Sequence, residues 1–249
     1  MSRSLVIMLH GVGSNGSDLA PLGEAWTRSF PDTDFVAPDA PHPCGHGGRQ
    51  WFSVESVTPA NRPARVAEAR ASFDAVLGEI VSAHGLAERH DRVVLLGFSQ
   101  GAIMALDALA TGRWPVAGIV AFSGRLASPL PLSPSLSARA ILIHGAADPV
   151  IPATESVQAT ATLQALGVDA HCHVLPRLGH GISPEGASLA ADFLAQVLAG
   201  QEAGRCLMEL GPDTFGDLPV GTTGAGPAGS ASRRSSRRQL ATTPARVLE

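Results

Sequence analysis

The sequence predicts an α/β fold in which a mostly parallel central sheet carries helices on both faces. Short apolar runs alternate with helical patterns along the chain, as expected for strands joined by helices. The runs are apolar at nearly every position, which is typical of strands buried on both faces of a parallel sheet. With 249 residues, of which 45% are hydrophobic, the chain is long enough to bury one sizeable core.

The pattern places the elements in a regular order. Strands are expected at 5–9, 34–37, 93–96, 118–122, 140–143 and 170–174, and helices at 19–29, 63–83, 102–109, 153–166 and 184–198. In the second helix, Val66, Phe73 and Leu77 recur at helical spacing, and Pro63 is tolerated in the first turn. No insertion between elements is long enough to form a large lid domain.

Composition divides the chain into three parts. Residues 1–200 are expected to form one α/β domain, residues 201–220 an ambiguous C-terminal extension, and residues 221–249 a disordered tail rich in Gly, Ala, Ser, Thr and Pro. An arginine cluster at 233–238 has no aromatic or folded basic face beside it. The cluster is therefore interpreted as part of a solvated tail, and no nucleic-acid partner is expected.

Several function classes lack support in the composition. No apolar run is long enough for a membrane span and the amino terminus has no signal-peptide pattern, so a cytoplasmic location is expected. The odd number of cysteines, at Cys44, Cys172 and Cys206, suits reduced thiols. His171, Cys172 and His173 diverge along a predicted strand, so no metal site is expected. Glycine motifs for dinucleotide or phosphate binding are missing, so no cofactor is expected.

A nucleophile elbow is indicated by segment 97–101, Gly-Phe-Ser-Gln-Gly, which follows an apolar strand and precedes a helix. A sharp, strained turn can present a serine hydroxyl at the end of a strand only if nearby residues lack side chains. Gly97 and Gly101 meet this requirement. An ordinary strand-to-helix turn is the alternative, but the flanking elements favour Ser99 as a nucleophile.

A serine nucleophile of this kind needs an acid and then a basic histidine later in the chain. The downstream histidines are His144, His171, His173 and His180. His180 lies in a glycine-containing flexible loop between the last strand and the last helix, where its side chain can reach over the sheet edge. His171 and His173 lie within the strand and are assigned to packing or solvent contact. His180 is therefore the expected base.

Asp148 is the expected acid. It lies in a loop at the carboxyl end of the fifth predicted strand, where it can orient the imidazole and stabilise the imidazolium formed during attack. Asp107 and Asp192 fall within helices and Asp169 precedes a strand, so they are poorer candidates. The alternative for Asp148 is a turn aspartate before Pro149.

Such catalysis also needs hydrogen-bond donors for a tetrahedral oxyanion. One is expected to be the backbone N–H of Gln100, directly after the serine. The other is expected to be the N–H of Val12, in the glycine-rich turn after the first strand. His10 precedes the serine in the chain, and its ring is expected to have a structural role with hydrogen bonds to backbone groups.

Four ordered blocks resemble the signature segments of the phospholipase/carboxylesterase family, which includes the acyl-protein thioesterases. The blocks are 9–13, 97–101, 144–150 and 178–180, and segments 49–53, 61–62 and 64–66 also resemble its small bacterial serine esterase branch. The resemblance implies an α/β-hydrolase fold with Ser99, Asp148 and His180 as the triad and the amides of Val12 and Gln100 as the oxyanion hole. Family members commonly have an additional antiparallel strand before the first strand found here, so a trimmed sheet edge is expected.

These inferences favour a serine carboxylesterase that hydrolyses short- to medium-chain acyl esters through an acyl-enzyme intermediate. Trp51 and Phe52 are expected to line the acyl pocket, with anchoring of their loop to the core as the alternative. The same triad would serve an acyl thioesterase, and a non-catalytic small-ligand-binding homologue is a third alternative. The expected partner is a small-molecule ester or thioester. The oligomeric state is left open, and a homodimer is one option.

Overall fold

The computed structural model describes residues 3–45 and 47–209, which form eight strands and five α-helices. The strands are β1 (Ser4–Leu9), β2 (Thr33–Val36), β3 (His42–Pro43), β4 (Arg49–Gln50), β5 (Val93–Phe98), β6 (Gly118–Phe122), β7 (Arg139–Gly145) and β8 (Asp169–Leu175). The helices are α1 (Ala20–Trp26), α2 (Arg62–Ala83), α3 (Gln100–Ala110), α4 (Thr154–Ala165) and α5 (Pro184–Glu209). Short 3-10 helices cover Gly16–Asp18 and His90–Arg92.

Six strands form one sheet in the order β2-β1-β5-β6-β7-β8, and every neighbouring pair is parallel. The predicted parallel sheet is confirmed, and within the described ranges no antiparallel strand joins it. The remaining strands, β3 and β4, form a separate antiparallel hairpin. The hairpin was not predictable from the sequence, because each strand spans two residues, too few for an alternating pattern.

Helices cover both faces of the sheet, so β1 buries side chains in two directions. Leu5, Ile7 and Leu9 pack in one cluster with residues of α2 and α3, whereas Val6 and Met8 pack in a second cluster with residues of α1 and α5. All five side chains are at most 1% exposed. This burial on both faces explains why the strands are apolar at nearly every position.

A buried carboxylate joins α2 to α3. Asp107 is fully buried and accepts hydrogen bonds from Arg70 at 3.0 and 2.8 Å and from Arg113 at 3.0 Å. Arg113 also pairs with Asp74, whose carboxylate accepts a hydrogen bond from the indole N–H of Trp114 at 2.7 Å. Because its charge is satisfied inside the fold, Asp107 acts as a structural anion.

Most predicted boundaries differ from the structure by one or more residues, and three of the differences have a clear cause. The helix expected at 19–29 ends at Trp26, because the following residues form tighter turns in which the Ser29 amide donates to the Trp26 carbonyl. The strand expected at 34–37 is Thr33–Val36, because backbone pairing with β1 begins at residue 33. The last helix continues to Glu209 through residues that favour helices, and so takes in the first part of the extension expected at 201–220. The expectations for 210–220 and 221–249 lie outside the described residues.

Among the described residues, no helix combines the length and apolar character needed to cross a bilayer. Between β6 and β7 the chain runs as an irregular segment without a helix. Within the described residues, the segment between β6 and β7 therefore adds no lid domain.

Candidate active site

Ser99 lies in the turn between β5 and α3, at the carboxyl end of the sheet. Its φ of 51° and ψ of −111° are strained for a residue with a side chain. A Cβ atom at Gly97 would collide with the Ala102 amide nitrogen, and one at Gly101 would collide with the Leu9 carbonyl oxygen. Both glycines are therefore needed for the turn to pack, and the predicted strand-turn-helix setting is confirmed.

The structure brings Ser99, His180 and Asp148 together. Nε2 of His180 lies 2.9 Å from Ser99 Oγ, and Nδ1 of His180 lies 2.7 Å from Asp148 Oδ2. An ionised carboxylate only accepts hydrogen bonds, so Nδ1 carries the proton and donates it to Asp148. Nε2 then accepts from the Ser99 hydroxyl. This is the imidazole tautomer that a general base acting on a serine requires.

Asp148 follows β7 and has a fully buried side chain. Its Oδ1 accepts from the amides of Val150 at 2.8 Å and Ile151 at 3.0 Å, so the turn arrangement considered as an alternative is also present. Burial by itself raises the pKa of the Asp148 carboxyl. The His180 hydrogen bond and the two amide donors outweigh burial and hold that pKa below its ordinary value. The carboxylate is therefore ionised beside the imidazole at neutral pH.

Backbone contacts hold the loop that carries His180. The Ala147 amide donates to the Leu178 carbonyl at 2.9 Å, and a Cβ atom at Gly145 would collide with the same carbonyl oxygen. The Phe98 ring packs on the His180 ring with centroids 5.0 Å apart. The sequence predicted a flexible loop from which the His180 side chain reaches over the sheet edge. The structure instead shows a loop fixed against the turn that follows β7.

The glycine-rich turn after β1 packs against the serine. A Cβ atom at Gly11 would lie 3.2 Å from Phe98 Cδ1 and 3.3 Å from Ser99 Cβ. Within the part of the chain that the structure describes, the Val12 amide donates to no protein acceptor. The Gln100 amide begins α3 and has no acceptor within the helix. The two predicted oxyanion donors are thus unused N–H groups in the two turns that meet at the serine.

His10 has the structural role expected for it. Its fully buried ring accepts at Nε2 from the Ala40 amide at 2.9 Å, so Nδ1 carries the proton and donates to the Gly11 carbonyl at 2.7 Å. The His10 carbonyl accepts from the indole N–H of Trp51 at 2.9 Å. These bonds fix the turn that contains Val12.

Sequence reasoning missed the side chain of Gln100, which holds the loop of Trp51 and Phe52. Its Oε1 accepts from the Trp51 amide and its Nε2 donates to the Phe52 carbonyl, both at 2.7 Å. Trp51 is 0% exposed and Phe52 5% exposed, which fits the core-anchoring alternative. Both line a hollow of about 250 Å³ between the β3–β4 hairpin and α2, but Ser99 and His180 do not line it. The acyl-pocket role of the two aromatic residues stays a prediction.

His171 and His173 lie in the edge strand β8. His171 is exposed, as expected, and its ring lies 3.0 Å from Asp169, which also pairs with Arg139 at 2.7 Å. Burial raises the pKa of the neighbouring Cys172 thiol. Across residues 3–45 and 47–209, no three His, Cys, Asp or Glu side chains cluster closely enough to hold a metal ion.

Comparison with known protein families matches residues 1–198 to the phospholipase/carboxylesterase family. The chain belongs to this family. Esterase YpfH of Escherichia coli (strain K12) is 34% identical over 199 residues, which cover 78% of this chain and 82% of that protein. Acyl-protein thioesterase 1 of Neurospora crassa is 27% identical over 214 residues, which cover 78% of this chain and 86% of that protein. The crystal structure of esterase PE8 has 39% sequence identity and a TM-score of 0.70, covering 79% of this chain and 94% of that one.

The phospholipase/carboxylesterase match agrees with the sheet and the elbow described above. The expected family, the α/β-hydrolase fold and an ester hydrolase activity are confirmed by these similarities.

Proposed function

We propose that the protein is a serine carboxylesterase for short- to medium-chain acyl esters, with Ser99 as nucleophile, His180 as base and Asp148 as acid. The observation that carries this proposal is the hydrogen-bond chain from Asp148 Oδ2 through His180 to Ser99 Oγ, with steps of 2.7 and 2.9 Å. The names of esterase YpfH and esterase PE8 support an ester as the main substrate.

In the acylation step, Ser99 Oγ attacks the ester carbonyl carbon while its proton passes to His180 Nε2. The carbonyl oxygen becomes an oxyanion that accepts hydrogen bonds from the amides of Val12 and Gln100, each worth about 3 kcal/mol in the transition state. Asp148 keeps the Nδ1 proton in place and balances the imidazolium charge. The bond to the alcohol oxygen then breaks, and His180 returns the proton to that oxygen.

Deacylation repeats these steps with water as the nucleophile. His180 Nε2 takes a proton from the water as its oxygen attacks the acyl carbon, and the same two amides hold the second oxyanion. The bond from the acyl carbon to Ser99 Oγ breaks, Oγ regains a proton from His180, and the carboxylic acid leaves. One imidazole therefore acts as base and then as acid in each half of the reaction.

The surroundings of the serine support a short or medium acyl chain. The described segment between β6 and β7 contributes no helix to cover it. Val12 and Val150 are 37% and 61% exposed, and they lie in the oxyanion turn and the Asp148 turn. Their side chains offer apolar contact to an acyl chain bound near these turns. A comparison of kcat/KM across p-nitrophenyl esters should peak at short or medium chain length, and a maximum at long chains would contradict this part of the proposal.

A thioester is the second candidate substrate, favoured by the match to Acyl-protein thioesterase 1 of Neurospora crassa. Turnover of p-nitrophenyl butyrate and of a butyryl thioester distinguishes an esterase from a thioesterase. Both substrates carry the same acyl group, so the comparison isolates the ester or thioester bond. We expect the higher kcat/KM for the ester. The reverse order would favour the thioesterase.

Labelling with a fluorophosphonate probe tests the nucleophile and the third candidate, a non-catalytic binding protein. The wild type should be labelled and should hydrolyse p-nitrophenyl butyrate, and Ser99→Ala should do neither. An unlabelled, inactive but folded wild type would favour the binding protein.

The proposal also includes a cytoplasmic location, no cofactor and a small-molecule substrate as the partner. The free thiols of Cys44 and Cys172 support the cytoplasmic location.

A further inference from the structure

We propose that His144 is a positioning residue of this site that holds the turn carrying Asp148 through the hydrogen bond from its Nε2–H group to the Ile151 carbonyl; the inference rests on the proposed esterase function. His144 is the penultimate residue of β7 and lies four residues before Asp148. Its side chain is 0% exposed, so it does not contact substrate. Any effect of His144 on the reaction must therefore pass through its neighbours.

The protonation of His144 follows from the oxygen atoms around its ring. Nε2 lies 2.8 Å from the Ile151 carbonyl oxygen and 3.1 Å from Asp148 Oδ2. The carbonyl oxygen only accepts, so Nε2 carries a proton and donates it to Ile151, and the Asp148 carboxylate lies beside the same N–H group. Nδ1 lies 2.7 Å from Ser156 Oγ. The buried ring therefore connects α4, through Ser156, to the carboxylate that faces His180.

The hydrogen bond from His144 to Ile151 fixes one end of the turn that holds the carboxylate. Asp148 Oδ1 accepts from two backbone amides, at 2.8 and 3.0 Å. Oδ2 accepts from the His180 ring at 2.7 Å, and Nε2 of His144 lies 3.1 Å from the same oxygen. Donors on both oxygens fix the plane of the carboxylate, and with it the direction in which Oδ2 meets the His180 proton. A hydrogen bond to the ionised form also stabilises the negative charge when His180 becomes cationic.

Loss of the His144 donor would leave the buried Ile151 carbonyl without this hydrogen bond, and the turn that presents the Ile151 amide to Asp148 Oδ1 can then shift. The carboxylate can then rotate, and the His180 ring follows it. Because the attack requires Nε2 to stay within hydrogen-bond reach of Ser99 Oγ, a small rotation lowers the rate of proton transfer. The substrate does not touch either group, so the loss should be in kcat and not in KM.

Three variants test the donor. His144→Gln keeps an amide N–H near the position of Nε2, His144→Asn places it nearer Nδ1, and His144→Leu removes it. We expect His144→Leu and His144→Asn to lower kcat by about 10- to 100-fold with KM within about twofold, and His144→Gln to recover most of the rate. Gln and Asn variants of equal kcat would overturn the inference. That comparison remains decisive if the leucine variant fails to fold.

A second measurement separates positioning from general loss of stability. In the Asp148→Asn background, His144→Leu should lower kcat less than about twofold further, because its route to His180 is already gone. A full 10-fold or larger additional loss would show that His144 does not act through Asp148. Leu163→Ala, a fully buried change in α4, should lower the melting temperature yet keep wild-type kcat at 25 °C. If the wild type itself lacks activity, the proposed function fails; if it is active and His144→Leu keeps its kcat, this inference alone fails.

Discussion

Asp148→Asn is expected to remove most of the turnover by changing the tautomer of His180. The amides of Val150 and Ile151 donate to Oδ1 at 2.8 and 3.0 Å, so the asparagine carbonyl oxygen takes that position. Its NH2 group then replaces Oδ2, 2.7 Å from His180 Nδ1, where it can only donate. His180 must carry its proton on Nε2 instead. The nitrogen that faces Ser99 then becomes a donor and cannot take the hydroxyl proton.

The expected loss in kcat is about 10⁴-fold, or about 5 kcal/mol of transition-state stabilisation. Initial rates at saturating p-nitrophenyl butyrate near pH 7 measure it, and KM should change less than about threefold because the Asp148 side chain is fully buried. Asp192→Asn makes the same chemical change in α5 and should keep wild-type kcat. A folded Asp148→Asn variant with kcat within tenfold of the wild type would refute the tautomer argument.

Three further predictions concern stability and the loop geometry. Asp107→Ala should lower the free energy of unfolding by about 3 kcal/mol, since it leaves two guanidinium groups without their shared buried carboxylate; an unchanged urea midpoint would contradict this. Gly145→Ala should lower kcat about 100-fold by displacing the loop that carries His180, whereas Gly179→Ala, with nothing within 4 Å of the added Cβ, should not; equal kcat values would argue against loop displacement. The lowered pKa of Asp148 stabilises the fold above about pH 4, the unfolded-state value, and this contribution disappears as pH falls through the folded-state pKa; urea unfolding between pH 7 and pH 2 should show a steeper acid loss for the wild type than for Asp148→Asn.

The sheet and the meeting of Ser99, Asp148 and His180 were predictable because they depend on local patterns and on one general rule. Gly97 and Gly101 mark the elbow within five residues, and the chain order of Asp148 and His180 follows from the fold. Parallel strands place their carboxyl ends along one edge. The loops after β1, β5, β7 and β8 therefore bring their residues to the same place once the strands are known.

Side-chain networks were not predictable from the same patterns. The Gln100 side chain holds backbone groups of Trp51 and Phe52, 49 and 48 residues away in the chain. The His144 side chain is buried in β7. Its distance from the Asp148 carboxylate depends on how the turn after the strand folds back. No local spacing encodes such contacts. The sequence predicted a flexible His180 loop for the same reason. The contacts that hold the Leu178 carbonyl of this loop come from the separate segment after β7.

Identification of the acylated residue tests the central claim most directly. The wild-type protein would be mixed with p-nitrophenyl butyrate, quenched with acid during the first turnover, digested and analysed by peptide mass spectrometry. We predict one butyryl group, attached to Ser99, formed together with a burst of p-nitrophenol. A butyryl group on a different residue, or multiple turnovers by the Ser99→Ala variant at the wild-type rate, would contradict the account.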